Sequence, residues 1–186
     1  MDNVIFNPTT HEYYNSGGRV PGVTDVIKGA GLIDTTFFTG QHRDRGIRVH
    51  LATQDIDKNL CNIAVDIPDN IDPYKDAYKQ FLADVNPKWQ HSEYIVYNRQ
   101  YNYAGIADRI GEMFGEDVIV DIKSGIKDRS HGVQLAAYER AWGKPVKRYG
   151  LYLKNDGTYK LEKYDNPNDF RVFIAALTIY IWKGIK

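Results

Sequence analysis

Residues 101–125, YNYAGIADRIGEMFGEDVIVDIKSG, decide how the rest of the chain is read. The stretch predicts two strands joined by a turn, with Asp108 on the first. Asp121 and Lys123 sit on the second, where the apolar run Val118-Ile119-Val120 ends. Side chains alternate along a strand, so Asp121 and Lys123 share a side, about 7 Å apart. Two carboxylates and an ammonium at the end of a hydrophobic strand are costly to desolvate unless something there uses them. A divalent cation is the usual reason to gather acidic oxygens in such a place. An acid-x-Lys triplet is common in a charged chain. Its context carries the information: a buried-type strand, an Asp 13 positions upstream after Gly105, and a helix downstream.

Outward from this stretch, Trp89–Tyr97 alternates as a strand that would put Glu93 on the side of Ile95 and Tyr97, with Asn98-Arg99-Gln100 as the turn. After Gly125 comes a polar loop, then a helix from about His131 to Trp142, closed by Gly143 and Pro145. Gln134 and Tyr138 lie four apart on one face of it. Val146–Lys154 and Thr158–Tyr164 flank Asn155-Asp156-Gly157, a hairpin signal. Asn166-Pro167 opens a last helix with Phe170, Phe173, Ile174, Leu177 and Ile181 on one side.

Toward the N-terminus, Asp72 at the N-cap and Pro73 at the first helical position start a helix striped by Tyr74, Ala77, Tyr78, Phe81, Leu82 and Val85. Asn86-Pro87 ends it. Residues 61–72 form a polar connection. A helix over about 41–60 begins with Arg43, Arg45 and Arg48 and carries Gly46 and His50 one turn apart. Glycine inside a helix costs about 1 kcal/mol against Ala, which is tolerable where something approaches closely. Residues 34–40 read as a loop. Residues 3–23 read as a small hairpin turning at Ser16-Gly17-Gly18, followed by a short helix capped by Thr24 and ending near Gly31. The sum is a mixed sheet flanked by helices, α/β or α+β. A chain of 186 residues fits one domain, with residues 1–40 as a small hairpin and helix packed on it.

Formal net charge is zero, so no global basic field draws nucleic acid; any such contact is local. The lone Cys61, expected to be a buried or half-buried small residue, excludes an internal disulfide and a cysteine-based zinc cage. It suits a reducing compartment. With no signal-peptide pattern and no apolar run near 18 residues, the expectation is a soluble protein of the cytoplasm.

Four elements in order resemble the PD-(D/E)XK nuclease superfamily, in its RecB-like exonuclease branch. Arg45-Gly46-Ile47-Arg48-Val49-His50 resembles that branch's helix with Gly and His four apart. Gly105-Ile106-Ala107-Asp108 resembles its G-x-x-D strand. Asp121-Ile122-Lys123-Ser124-Gly125 resembles D-x-K-T-G, with Ser for Thr. Gln134-Leu135-Ala136-Ala137-Tyr138 resembles the Q-x-x-x-Y helix. Val20-Pro21-Gly22-Val23-Thr24 also resembles a segment of phage-type and mitochondrial single-strand exonucleases of the branch. Asp55 and Asp57 stand where no second acidic role transfers.

The resemblance implies a restriction-endonuclease-like core and a metal-dependent nuclease acting on DNA ends or single strands. Asp108 and Asp121 would be carboxylate ligands, with the Ile122 carbonyl adding an oxygen and His50 a nitrogen. Mg²⁺ fits a mainly oxygen set and one imidazole favours Mn²⁺, as one or two ions. Lys123 would hold the attacking water and offset charge on the phosphate. Gln134 and Tyr138 would orient Lys123, the water or a phosphate. Glu93 is a further candidate for the metal site. Arg43, Arg45, Arg48, Ser124, Lys127 and Arg129 are candidate DNA contacts, and the basic ones read equally well as solvated charge. Two alternatives stay open: a structure-specific endonuclease of the superfamily, and a nucleic-acid-binding module without hydrolysis.

Overall fold

A computed structural model describes residues 4–33, 40–58 and 71–184. The loop expected over 34–39, the connection over 61–70 and Cys61 lie outside them. Strands β1 (Ile5–Asn7), β2 (Glu12–Asn15) and β3 (Gly18–Val20) form an antiparallel meander, one strand more than the expected hairpin. Gly18, at φ 112°, turns the chain back as a third strand. The meander packs Tyr13 and Val20 against Ala104, with Ile95, Tyr97 and Ile106 alongside. Helix α1 (Val23–Gly29) follows. It starts before Thr24, with Gly22 at the N-cap, because Gly22 is held extended in a bridge to Ala104.

Helices α2 (Gly40–Asp57) and α3 (Asp72–Val85) come next. Residue 40 therefore belongs to a helix rather than a loop. Asp72 is the first helical residue and not the cap. Its carboxylate takes the Lys75 ammonium at 2.9 Å, and Ile71 holds the N-cap position. Asn86 ends α3 in the left-handed conformation.

The main sheet runs β4 (Lys88–Asn98), β5 (Tyr103–Met113), β6 (Glu116–Lys123), β7 (Lys147–Leu153), β8 (Tyr159–Lys163), in that spatial order. All neighbours are antiparallel except β6 and β7, which the crossover helix α4 (Ser130–Trp142) joins in parallel. Helix α5 (Asp169–Trp182) closes the chain. Phe114 and Gly115, both at positive φ, make the two-residue β5–β6 turn that matches strand twist.

Alternation along β6 sorts the layers. Val118, Val120 and Ile122 pack with Val49 of α2 and with Tyr74, Tyr78 and Phe81 of α3. Ile119 faces the other way, into a core with Leu135 of α4, Phe173 and Leu177 of α5, and α1. Each such side chain, fully buried, contributes about 1.5–3 kcal/mol. The mixed sheet flanked by helices is therefore as expected. One position differs: Ile181 is exposed, because α5 buries Phe173, Ala176, Leu177 and Tyr180.

Candidate active site

Strands β5 and β6 pair from Met113 and Glu116 as far as Arg109 and Val120. Beyond that they part: β6 stays with β7 to Lys123, while β5 stays with β4. The Asp108 carboxylate fills the opening. Its Oδ2 accepts the Ile122 N–H at 2.6 Å, in place of a ladder partner. A strand residue sends N–H and C=O to the same edge, so the Ile122 carbonyl faces this opening too. Asp108 and Asp121 are buried, at 6% and 2% exposure.

Asp121 and Lys123 continue the α4-facing row begun by Ile119. Lys123 Nζ lies 2.6 Å from Asp121 Oδ2 as an ion pair, yet no donor is aligned for a hydrogen bond to that oxygen. Lys123 Nζ donates instead to Gln134 Oε1 at 3.0 Å, and Gln134 Nε2 donates to the Tyr138 hydroxyl at 2.8 Å. The spacing of Gln134 and Tyr138 thus builds a chain ending on the lysine. Gly105 has a physical reason as well: a Cβ there would come 2.5 Å from Tyr138 Cε1. Gly46 has no such neighbour, and a Cβ there would meet nothing described within 4 Å.

On the α2 side, His50 Nδ1 lies 3.5 Å from Asp108 Oδ1 and 3.7 Å from Glu93 Oε1. Glu93 reaches in through a left-handed backbone, φ 51°, within β4. Arg109, wholly buried, braces this side. Its Nε donates to Asp57 Oδ2 at 2.5 Å and its Nη2 to Thr53 Oγ1 at 3.1 Å. Its Nη1 donates to the Asp108 carbonyl at 2.7 Å and approaches Glu93 at 3.4 Å. Tyr78 donates its hydroxyl to Asp57. Sequence reasoning missed Arg109, Asp57 and Thr53. The signal was there: His50, Thr53 and Asp57 recur at i, i+3 and i+7 on one helix stripe.

Charge explains the ionisation of the cluster. Burial disfavours the His50 imidazolium, but the Asp108 and Glu93 carboxylates outweigh it and raise His50 to about 9. Burial pushes Asp108 upward, and Asp121 and Glu93 add to this against the pull of His50 and Lys123. Burial also works against the Lys123 ammonium, but Asp121 and Asp108 hold it above the ordinary lysine range. Lys123 is therefore an ammonium and not a base.

His50, Glu93 and Asp108 each offer one ligand atom, all within 4.8 Å of one another. Asp121 stands outside that trio because Lys123, two residues on, draws its carboxylate; Glu93 is in it. Three carboxylates, of Asp108, Asp121 and Glu93, converge here on the His50 imidazole and the Lys123 ammonium. The oxygen-rich donors, two of them buried carboxylates, and one imidazole fit a hard divalent cation.

The candidate DNA contacts are scattered. Arg43 and Arg129 are exposed. Arg45 lies over the Tyr74 ring at 5.9 Å, and Arg48 Nε donates to the Asp44 carbonyl. Ser124 is half-buried beside Lys123. Lys127 pairs with Glu162 at 2.9 Å.

No protein-family model matches the sequence, and no curated protein matches it significantly. Solved structures do superpose. SSO0001 aligns at TM-score 0.46 and 15% identity, over 87% of this chain and 75% of its own. LHK-Exo, solved in complex with dAMP, aligns at TM-score 0.46 and 10% identity, over 88% of this chain and 87% of its own.

Proposed function

We propose that this chain is a metal-dependent nuclease that hydrolyses phosphodiester bonds in DNA, as an exonuclease acting at ends or on single strands. One observation carries it: β5 and β6 part, and the buried carboxylates of Asp108 and Asp121 meet the Lys123 ammonium at the opening. His50, Glu93 and Asp108 would hold a Mg²⁺ or Mn²⁺ ion, with Asp121 and the Ile122 carbonyl as further oxygen donors. Bound there, the ion supplies a water of lowered pKa and charge neutralisation on the phosphate. Lys123, held as an ammonium by Asp121 and steered by Gln134, orients that water and offsets charge building on the phosphate oxygens. Tyr138 fixes Gln134, and its packing on Gly105 fixes Tyr138. Arg109 holds Glu93 and the α2 stripe behind His50. Ser124, Lys127 and Arg129 follow Lys123 in the chain, where a DNA backbone leaving the opening would run. Arg43, Arg45 and Arg48 would serve it from α2.

End-labelled linear DNA and covalently closed circular DNA, each incubated with Mg²⁺ or Mn²⁺, test this. Shortening of the linear DNA from its ends, with the circle intact and no activity in EDTA, is expected. Cleavage of the circle would make the protein an endonuclease. Intact linear DNA, or degradation undiminished in Asp121→Ala/Lys123→Ala, would overturn the assignment.

A further inference from the structure

Beside the Lys123–Gln134 pair lies a second pair built the same way. In the parallel register Tyr152 of β7 sits next to Lys123 of β6. Helix α4 crosses both. Gln134 meets Lys123, and His131, one turn earlier on the same face, meets Tyr152 with Nδ1 2.7 Å from the hydroxyl. Gly132 and Gly150 make the room: a Cβ on either would come within 2.9 Å of the Tyr164, Asp169 or Tyr152 side chains.

One backbone donor sets the direction of these hydrogen bonds. The N–H of Asp128 points at His131 Nδ1 at 3.3 Å, and an N–H can only donate. An acceptor Nδ1 suits that donor, and Tyr152, at 2.7 Å, then donates its hydroxyl hydrogen to it. That leaves the Tyr152 oxygen to accept from Tyr164, 2.5 Å away. In that arrangement the chain runs Tyr164 to Tyr152 to His131, and the neutral ring carries its proton on Nε2. Burial and the nearby Lys123 ammonium keep the ring neutral by lowering His131 to about 4. Nε2–H has no partner among the described residues.

We propose that His131 is a phosphate-binding residue of the candidate active site, donating its Nε2–H to a phosphate oxygen of the nucleic-acid strand beside Lys123. A neutral donor suits this place. It adds a directed hydrogen bond without a second cation next to Lys123, and so leaves the lysine's attraction to Asp121 intact. The inference rests on the nuclease assignment, and the test separates the two.

Single-strand DNA cleavage with Mn²⁺ is measured for the parent, His131→Phe and His131→Gln, alongside ¹⁵N NMR of the His131 ring. His131→Phe removes the donor, and kcat/KM is expected to fall about 10²-fold. His131→Gln keeps an amide N–H near the Nε2 position and is expected to recover most of that loss. The ring should show Nε2 protonated and Nδ1 bare. Should His131→Phe fail to fold, Tyr152→Phe serves: it keeps the ring but removes the donor to Nδ1, mixing the tautomers and lowering kcat/KM. Cleavage by His131→Phe within twofold of the parent, or a ring protonated on Nδ1, overturns the inference and leaves the nuclease assignment standing. Absence of cleavage by the parent protein removes both.

Discussion

At the scale of single residues, the site is governed by charges that only make sense together. Glu93 is bound to the trio by geometry, so Glu93→Gln should weaken Mn²⁺ binding at least 10-fold while secondary structure stays intact, read by isothermal titration calorimetry. Unchanged affinity would put the ion elsewhere. His50 gives a pH signature whose sign follows from its raised pKa of about 9. Near pH 7 the metal-free ring holds a proton that a cation must displace. Metal affinity should therefore climb from about pH 7 to about pH 9 and level off above, with proton release seen as buffer-dependent heat. In EDTA the same shift stabilises the folded chain. That contribution is full below the unfolded imidazole's pKa of about 6.5 and is lost as pH rises through 9. Urea unfolding of His50→Gln should lack this decline.

At the scale of elements, two glycines separate a functional contact from a structural one. Gly105→Ala drives a methyl into the Tyr138 ring, so α4 must shift against β5. A cost of about 1–3 kcal/mol is expected, with slower cleavage because Gln134 moves with Tyr138. Gly111→Ala drives a methyl into the Lys88 backbone carbonyl, beside the bulge between Trp89 and His91. Backbone yields less readily than a ring, so this change should destabilise more. Chemical denaturation of both variants checks the order. Arg109 joins α2, β4 and β5, and Arg109→Leu strands Asp57 without its partner at a cost of about 3–5 kcal/mol. Adding Asp57→Leu should restore part of that stability, as a double-mutant cycle would show.

At the scale of the whole molecule, the layers decide where chemistry can sit. The sheet is covered by α2 and α3 on one face and by α1, α4 and α5 on the other, so its open place is where β5 and β6 part. No described helix is long and apolar enough to cross a membrane. With a formal net charge of zero, any DNA binding would come from few local cations. If Lys127 and Arg129 each neutralise a phosphate of a single strand, replacing either by Ala should flatten the dependence of log affinity on log salt by about 0.7. An unchanged slope in both variants would remove them from the interface.

The chain by itself determined the elements around residues 101–125. The apolar run Val118–Val120 marks β6, Asn155-Asp156-Gly157 marks the β7–β8 hairpin, and Gln134 with Tyr138 marks a face of α4. These depend on local periodicity and turn chemistry, which sequence spacing records directly. Tertiary structure decided what meets at the opening. Glu93 enters through one left-handed residue, Asp121 is drawn to Lys123 and away from the trio, and Arg109 is buried against Asp57, 52 positions away. Which nitrogen of His131 meets the Tyr152 hydroxyl also depends on two strands and a helix lying side by side. Ion pairing and hydrogen-bond direction act through space between distant segments, and no spacing along the chain encodes them.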